Sequence, residues 1–160
     1  MFPFGRMYDV ELPSYSRALS ANDVLVRISA PSDAILLILE AWYGQVQTDD
    51  INEPNSMQWA RFSTDGSAGA TALFVPREVG DPATGATGAS MDSSGWTQPS
   101  SSSALGGGLP FNLATGWNWS WTQSAPIVVS PSGRVGFRIL DAPSASMNFH
   151  GGLTILEIGG

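Results

Sequence analysis

Glycine and proline interrupt this chain so often that it has little room for long helices. The 160 residues include 18 glycines and 11 prolines, spread along most of the sequence. Both residues disfavour helix interiors, glycine through its backbone entropy and proline through its missing N–H group. The sequence therefore predicts an all-β protein whose short strands are joined by turns.

Short apolar stretches lie between these breakers. Within residues 23–29, Val24, Val26 and Ile28 alternate with other residues, which indicates one buried face. Residues 134–139 repeat the pattern, with Val135, Phe137 and Ile139 inward. Residues 34–42 are apolar on both faces, and we interpret them as a buried central strand rather than a short core helix. The predicted strands are 7–12, 23–30, 34–43, 56–62, 71–75, 116–123, 127–129, 134–140 and 152–158. About eight or nine strands predict one antiparallel β-sandwich domain spanning residues 7–160.

Residues 80–108 have a different composition, dominated by Gly, Ser, Thr, Ala and Pro. Such a segment has too few apolar side chains to build a core, so we predict one long surface loop. Long loops inside compact domains often have a function, and Trp96 is a large side chain to leave in a flexible loop. Ordering of this loop against a neighbouring chain is therefore a second interpretation.

Trp117, Trp119 and Trp121 alternate along one predicted strand and would share one face, with Asn118 and Ser120 on the other. We call the three indoles the Trp ladder. Three interpretations remain open: the ladder fills the sandwich core, it forms an exposed platform for sugar rings, or another subunit covers it.

Charge and composition exclude several classes of function. The net charge of −7, with arginine as the sole basic residue type, disfavours binding to DNA or RNA. The absence of cysteine excludes disulfides and thiolate metal sites. No apolar run approaches the length of a membrane span, and no secretory signal is recognisable, so we expect the protein to fold in the cytoplasm where it is made.

The chain offers few candidate catalytic groups. His150 is the single histidine, and we expect it to be a turn or surface residue rather than a base or ligand. Asp49, Asp50 and Glu53 lie close in sequence and are a weak candidate for calcium, although they do not match an EF-hand. Glu40 ends an apolar run; pairing with an arginine is the expected role, ahead of a glycosidase acid.

The first six residues, MFPFGR, contain two phenylalanines outside any strand pattern. We predict an N-terminal arm over residues 1–6. A docked arm would bury Phe2 and Phe4 against a neighbour, whereas a disordered arm would expose both rings.

Three segments carry a family resemblance: LSANDV at 19–24, GDPATGA at 80–86, and the tail from LDAP at 140–143 to GGLTILE at 151–157. Over most of its length the chain resembles small all-β structural proteins encoded beside the head genes of tailed bacteriophages, which decorate or cement the capsid. The resemblance implies a jelly-roll-like fold, often trimeric, on a capsid lattice or at the base of a fibre. The Trp-rich strand departs from the family's usual pattern.

We therefore expect a non-enzymatic virion structural protein on the capsid exterior, with no cofactor or metal. The expected partners are the major capsid protein and further copies of this chain in a homotrimer, without nucleic acid or membrane. The candidate partner-binding residues are Phe2, Phe4, Trp96, Trp117, Trp119 and Trp121. The alternative is a carbohydrate- or receptor-binding module of the head-fibre or spike type that uses an exposed Trp ladder, and a glycan hydrolase ranks third.

Overall fold

The computed structural model describes residues 5–46, 51–67, 69–91, 97–120 and 125–159. These residues form strands, turns and bends without a helix, so the predicted all-β class is confirmed. The described ranges contain twelve strands, more than the sequence predicts. In chain order they are β1 (Arg6–Arg17), β2 (Val24–Ser29), β3 (Ala34–Gln45), β4 (Pro54–Phe62), β5 (Ala70–Thr71), β6 (Leu73–Pro76), β7 (Thr87–Ser90), β8 (Ser101–Asn112), β9 (Trp117–Ser120), β10 (Ile127–Val129), β11 (Arg134–Ile139) and β12 (Met147–Gly159).

The strands form two antiparallel six-stranded sheets, an arrangement consistent with a β-sandwich. The first sheet has the order β10-β3-β12-β1-β6, and β9 also pairs with β3. The second has the order β5-β7-β2-β11-β4-β8. Sequence-distant strands therefore lie side by side, as β1 and β12 do.

The buried core lies between the sheets and follows the alternation seen in the sequence. Val24, Val26 and Ile28 on β2 are buried, and Val135 and Phe137 on β11 are buried beside them. Such alternation places one side chain in two against the opposite sheet. The prediction of inward faces for these two strands is confirmed.

Residues 34–42 are a strand, as predicted, and β3 is central, with β12 on one side and β9 and β10 on the other. The prediction that this strand is buried on both faces is wrong. Leu36 and Ile38 point into the core, whereas Ile35 is exposed and Leu37 is only partly covered. The described residues therefore leave the outer apolar face of β3 only partly covered.

The prediction of one long loop over residues 80–108 is also wrong. Thr87–Ser90 pairs with β2, and Ser101–Asn112 pairs with β4 along almost its whole length. Between these strands, the side-chain oxygen of Gln98 accepts a hydrogen bond from the backbone N–H of Val24 at 2.8 Å. These small residues have low intrinsic β-propensity. They form strands because the neighbouring strands β2 and β4 supply backbone hydrogen-bonding partners.

The prediction of an N-terminal arm over residues 1–6 is wrong for Arg6, because β1 begins at this residue and pairs it with Glu157 on β12. Phe2 and Phe4 lie outside the described residues.

Candidate binding surface

Trp117 and Trp119 lie in the core, where they are 4% and 6% exposed. The ring of Trp59, on the opposite sheet, lies 5.3 Å from the Trp119 ring in an edge-to-face arrangement and 5.9 Å from the Trp117 ring. Phe137 completes this cluster at 5.2 Å from Trp117. Of the three interpretations of the Trp ladder, these two indoles fit the one in which the ladder fills the sandwich core. Their assignment as partner-binding residues is corrected accordingly. They act by joining the two sheets.

The alternation predicted for the ladder holds for its described part, since Asn118 is exposed on the reverse face. The third indole, Trp121, lies outside the described residues, as does Trp96. The assignments of those two residues remain predictions.

His150 lies within β12 rather than in a turn, and its ring is tilted against the exposed ring of Trp42 at 5.0 Å. Glu53 accepts a hydrogen bond from the backbone N–H of Ser144 at 2.8 Å, so its carboxylate holds two loops together. Asp49 and Asp50 are outside the described residues. In the part of the chain that is described, no three His, Asp or Glu side chains are grouped as metal ligands would be.

Exposed apolar side chains are concentrated on the outer face of the first sheet. Scattered single apolar residues are normal on a surface, whereas a shared face indicates a contact site. Among the described residues, five of the eight large exposed apolar side chains belong to strands β3, β6 and β10 of this face: Ile35, Trp42, Leu73, Val75 and Val128.

Four of the outward side chains form one line across four strands, which we call the apolar row: Val128, Leu37, Leu156 and Met7. Val128 pairs with Leu37, Leu37 with Leu156, and Leu156 with Met7. With neighbouring strands about 4.8 Å apart, the row crosses about 14 Å of sheet. Ile35 and Ile158, which are cross-strand partners, form a second and shorter apolar line beside the row. Three members of the row, Met7, Leu37 and Leu156, line a cavity of about 360 Å³ that also has Leu39, Pro126 and the polar residues Glu40, Arg77 and Thr154 in its walls.

A polar network interrupts the face next to the apolar row. The guanidinium group of Arg77 donates to the carboxylate of Asp9 at 2.8 Å and to the hydroxyl of Thr154 at 3.1 Å. The hydrogen bond from Arg77 holds the pKa of Asp9 below its usual value, and the same contact raises the pKa of Arg77. Glu40 is exposed near Arg77 and interacts with its charge, which agrees with the expected arginine partner more than with a catalytic acid.

Trp42 lies beyond this network on the same face and was not singled out by the sequence analysis. In the structure Trp42 lies between Ala41 and Tyr43, which are both buried. Strand alternation then places Trp42 on the face opposite to the core.

None of the described residues forms a helix suited to crossing a membrane. Comparisons of the chain with protein-family models, with characterised proteins and with solved structures gave no match.

Proposed function

We propose that this protein is a non-enzymatic structural protein of a tailed-phage virion that decorates or cements the capsid by binding the major capsid protein. In this proposal the sandwich is jelly-roll-like, the protein assembles as a homotrimer, and it lies on the capsid exterior after synthesis in the host cytoplasm. The family resemblance supports the setting. The apolar row supports the mode of action, because among the described residues Val128 is 45% exposed and Leu37 and Leu156 are only partly buried, which leaves apolar surface open to a partner.

The apolar row is assigned to contacts between copies of the chain. Copies that each carry a net charge of −7 repel one another, so a contact between them needs an uncharged surface. Val128, Leu37, Leu156 and Met7 provide such a surface. Aromatic residues and methionine are typical of interface centres, and charged residues are depleted there. Burial of the row contributes about 25 cal/mol for each Å² removed from water.

The N-terminal arm is assigned to the capsid. Gly5, the first described residue, packs closely against the side chains of Leu156 and Ile158, beside the apolar row. In this proposal Phe2 and Phe4, which precede it, bind the capsid.

Val128→Glu tests the self-association. Val128 is 45% exposed, so the substitution adds a charge to the apolar row without opening a cavity. We expect sedimentation velocity to give a trimer for the parent protein and a monomer for this variant. Val79→Glu is the matched control, since Val79 is fully exposed in a turn outside the row. A parent protein that is monomeric at tens of micromolar would overturn the homotrimer.

Electron microscopy of virions with and without the gene for this chain tests the capsid assignment. We expect added density on the outer surface of the shell that disappears when the gene is deleted. Identical shells in the two preparations would exclude a role in decoration. The alternative of a carbohydrate- or receptor-binding module based on the Trp ladder has little support, because Trp117 and Trp119 are buried.

A further inference from the structure

The indole of Trp42 packs against the backbone of its own sheet. A Cβ atom built on Gly152, its cross-strand partner, would meet three indole atoms at 2.8–3.0 Å. The ring of His150 borders the indole at an interplanar angle of 57°. Trp42 is nevertheless 43% exposed. The Nε1, Cε2 and Cζ2 atoms of the ring are therefore held against the strand, and the exposed remainder of the side chain offers a preformed platform.

Acceptor groups surround this platform. Glu11 is the β1 partner of Gly152, so it emerges beside the residue on which the indole rests. The next row along the sheet contains Glu40, Thr154 and Asp9 in cross-strand register. All of these residues line one groove of about 520 Å³ together with Trp42 and Arg77. This volume lies within the usual range of small-molecule sites.

Carboxylates accept hydrogen bonds and do not donate them when ionised. The groove therefore suits a ligand with many donors and one apolar face. A pyranose ring has both properties, since its hydroxyl groups donate and its C–H groups contact the electron-rich face of an indole. A protein surface fits less well, because charged residues are depleted at the centres of protein interfaces.

We propose that this groove binds a neutral saccharide, with one pyranose ring stacked on Trp42 and its hydroxyl groups donating to Glu11 and Glu40. The site excludes anionic sugars, because three carboxylates face a single arginine that is already paired with Asp9. The platform residues Trp42 and Glu11 lie outside the apolar row, whereas Glu40, Arg77 and Thr154 line both this groove and the cavity beside the row.

Titration of the full chain with four tetrasaccharides tests the proposal. The neutral probes are maltotetraose, cellotetraose and tetra-N-acetylchitotetraose, and a hyaluronan tetrasaccharide is the anionic one. We expect at least one neutral probe to bind with a millimolar or lower Kd by calorimetry and to quench tryptophan fluorescence, and the anionic probe not to bind. Failure of all three neutral probes at millimolar concentration, or equal binding of hyaluronan, would overturn the proposal.

Two variants locate the binding. Trp42→Ala removes the platform, and we expect it to raise the Kd for the neutral probe by about tenfold or more. Gly152→Ala keeps the indole but lifts it from the strand, so it should also weaken binding with little change in melting temperature. Leu109→Ala, an exposed apolar residue on β8 of the other sheet, is the matched control. Val128→Glu should bind the probe like the parent protein even where it no longer assembles. Unchanged binding by Trp42→Ala would place the saccharide elsewhere and refute the site.

Discussion

The hydroxyl group of Thr84 donates a hydrogen bond to the carboxylate of Glu157. Glu157 is 3% exposed at the end of β12, and Thr84 lies in the segment rich in small residues before β7. A second hydrogen bond fixes the same segment, since the hydroxyl of Tyr8 donates to the backbone carbonyl of Pro82 at 3.1 Å. A stretch with the composition of a flexible loop is thus attached to the first sheet by side chains from β1 and β12.

Thr84→Val should lower the free energy of unfolding by about 1–3 kcal/mol, because it leaves the buried Glu157 carboxylate without this donor. Denaturant unfolding followed by tryptophan fluorescence measures the change. Thr87→Val is the control, since Thr87 is exposed on β7. Equal stability of the two variants would show that the contact with Glu157 contributes nothing.

Trp119→Ala should destabilise the isolated subunit by about 3–5 kcal/mol, because it empties the cluster around Trp59 between the two sheets. Trp42→Ala removes the same side chain from an exposed position and should change stability by less than about 1 kcal/mol. Chemical denaturation of both variants gives the comparison. A Trp119→Ala protein of parental stability that fails to assemble would instead place this indole in an interface.

Acid should weaken a charge cluster on the second sheet. Arg134 donates to the carboxylate of Asp65 at 2.8 and 3.0 Å, and Arg27 and Ser29 also contact this carboxylate. The hydrogen bond from Arg134 is the main cause that holds the pKa of Asp65 far below its usual value of 3.8. A depressed native pKa contributes stability above the unfolded pKa, and this stability is lost as the pH falls through the native value.

Asp65→Asn should therefore melt below the parent protein at neutral pH, and the difference should shrink between about pH 4 and about pH 2. Because Asp65 is about half exposed, solvent screening keeps the effect modest, and added salt should reduce it further. Melting curves across this pH range measure it, with Asp33→Asn as an exposed control. A difference that persists unchanged at low pH would contradict the assignment to ion pairing.

Deletion of residues 1–4 should leave the melting temperature nearly unchanged and weaken attachment to the capsid. The deletion stops before Gly5 and Arg6, because these residues pack against β12 or pair with it. Co-sedimentation of the full-length and shortened proteins with capsids that lack the protein measures attachment. Equal binding would show that Phe2 and Phe4 do not contribute to the capsid contact.

The sequence alone determined the all-β class and the inward faces of β2 and β11. Glycine and proline block helices locally, and alternation of side chains is a local property that needs no knowledge of neighbouring strands. The position of β3 as a strand followed for the same reason. The positions of Trp117 and Trp119 on one shared face were also readable from their spacing.

Only the tertiary structure decided which faces are covered and which small-residue segments become strands. β7 and β8 lack strong β-propensity and form because β2 and β4 offer them unpaired edges, a contact between residues far apart in sequence. Alternation likewise cannot tell a buried face from an exposed one when both are apolar. Pairing with β12 places Leu36 inside and Leu37 outside, and it lays the ring of Trp42 on Gly152, where the absence of a side chain leaves room for it.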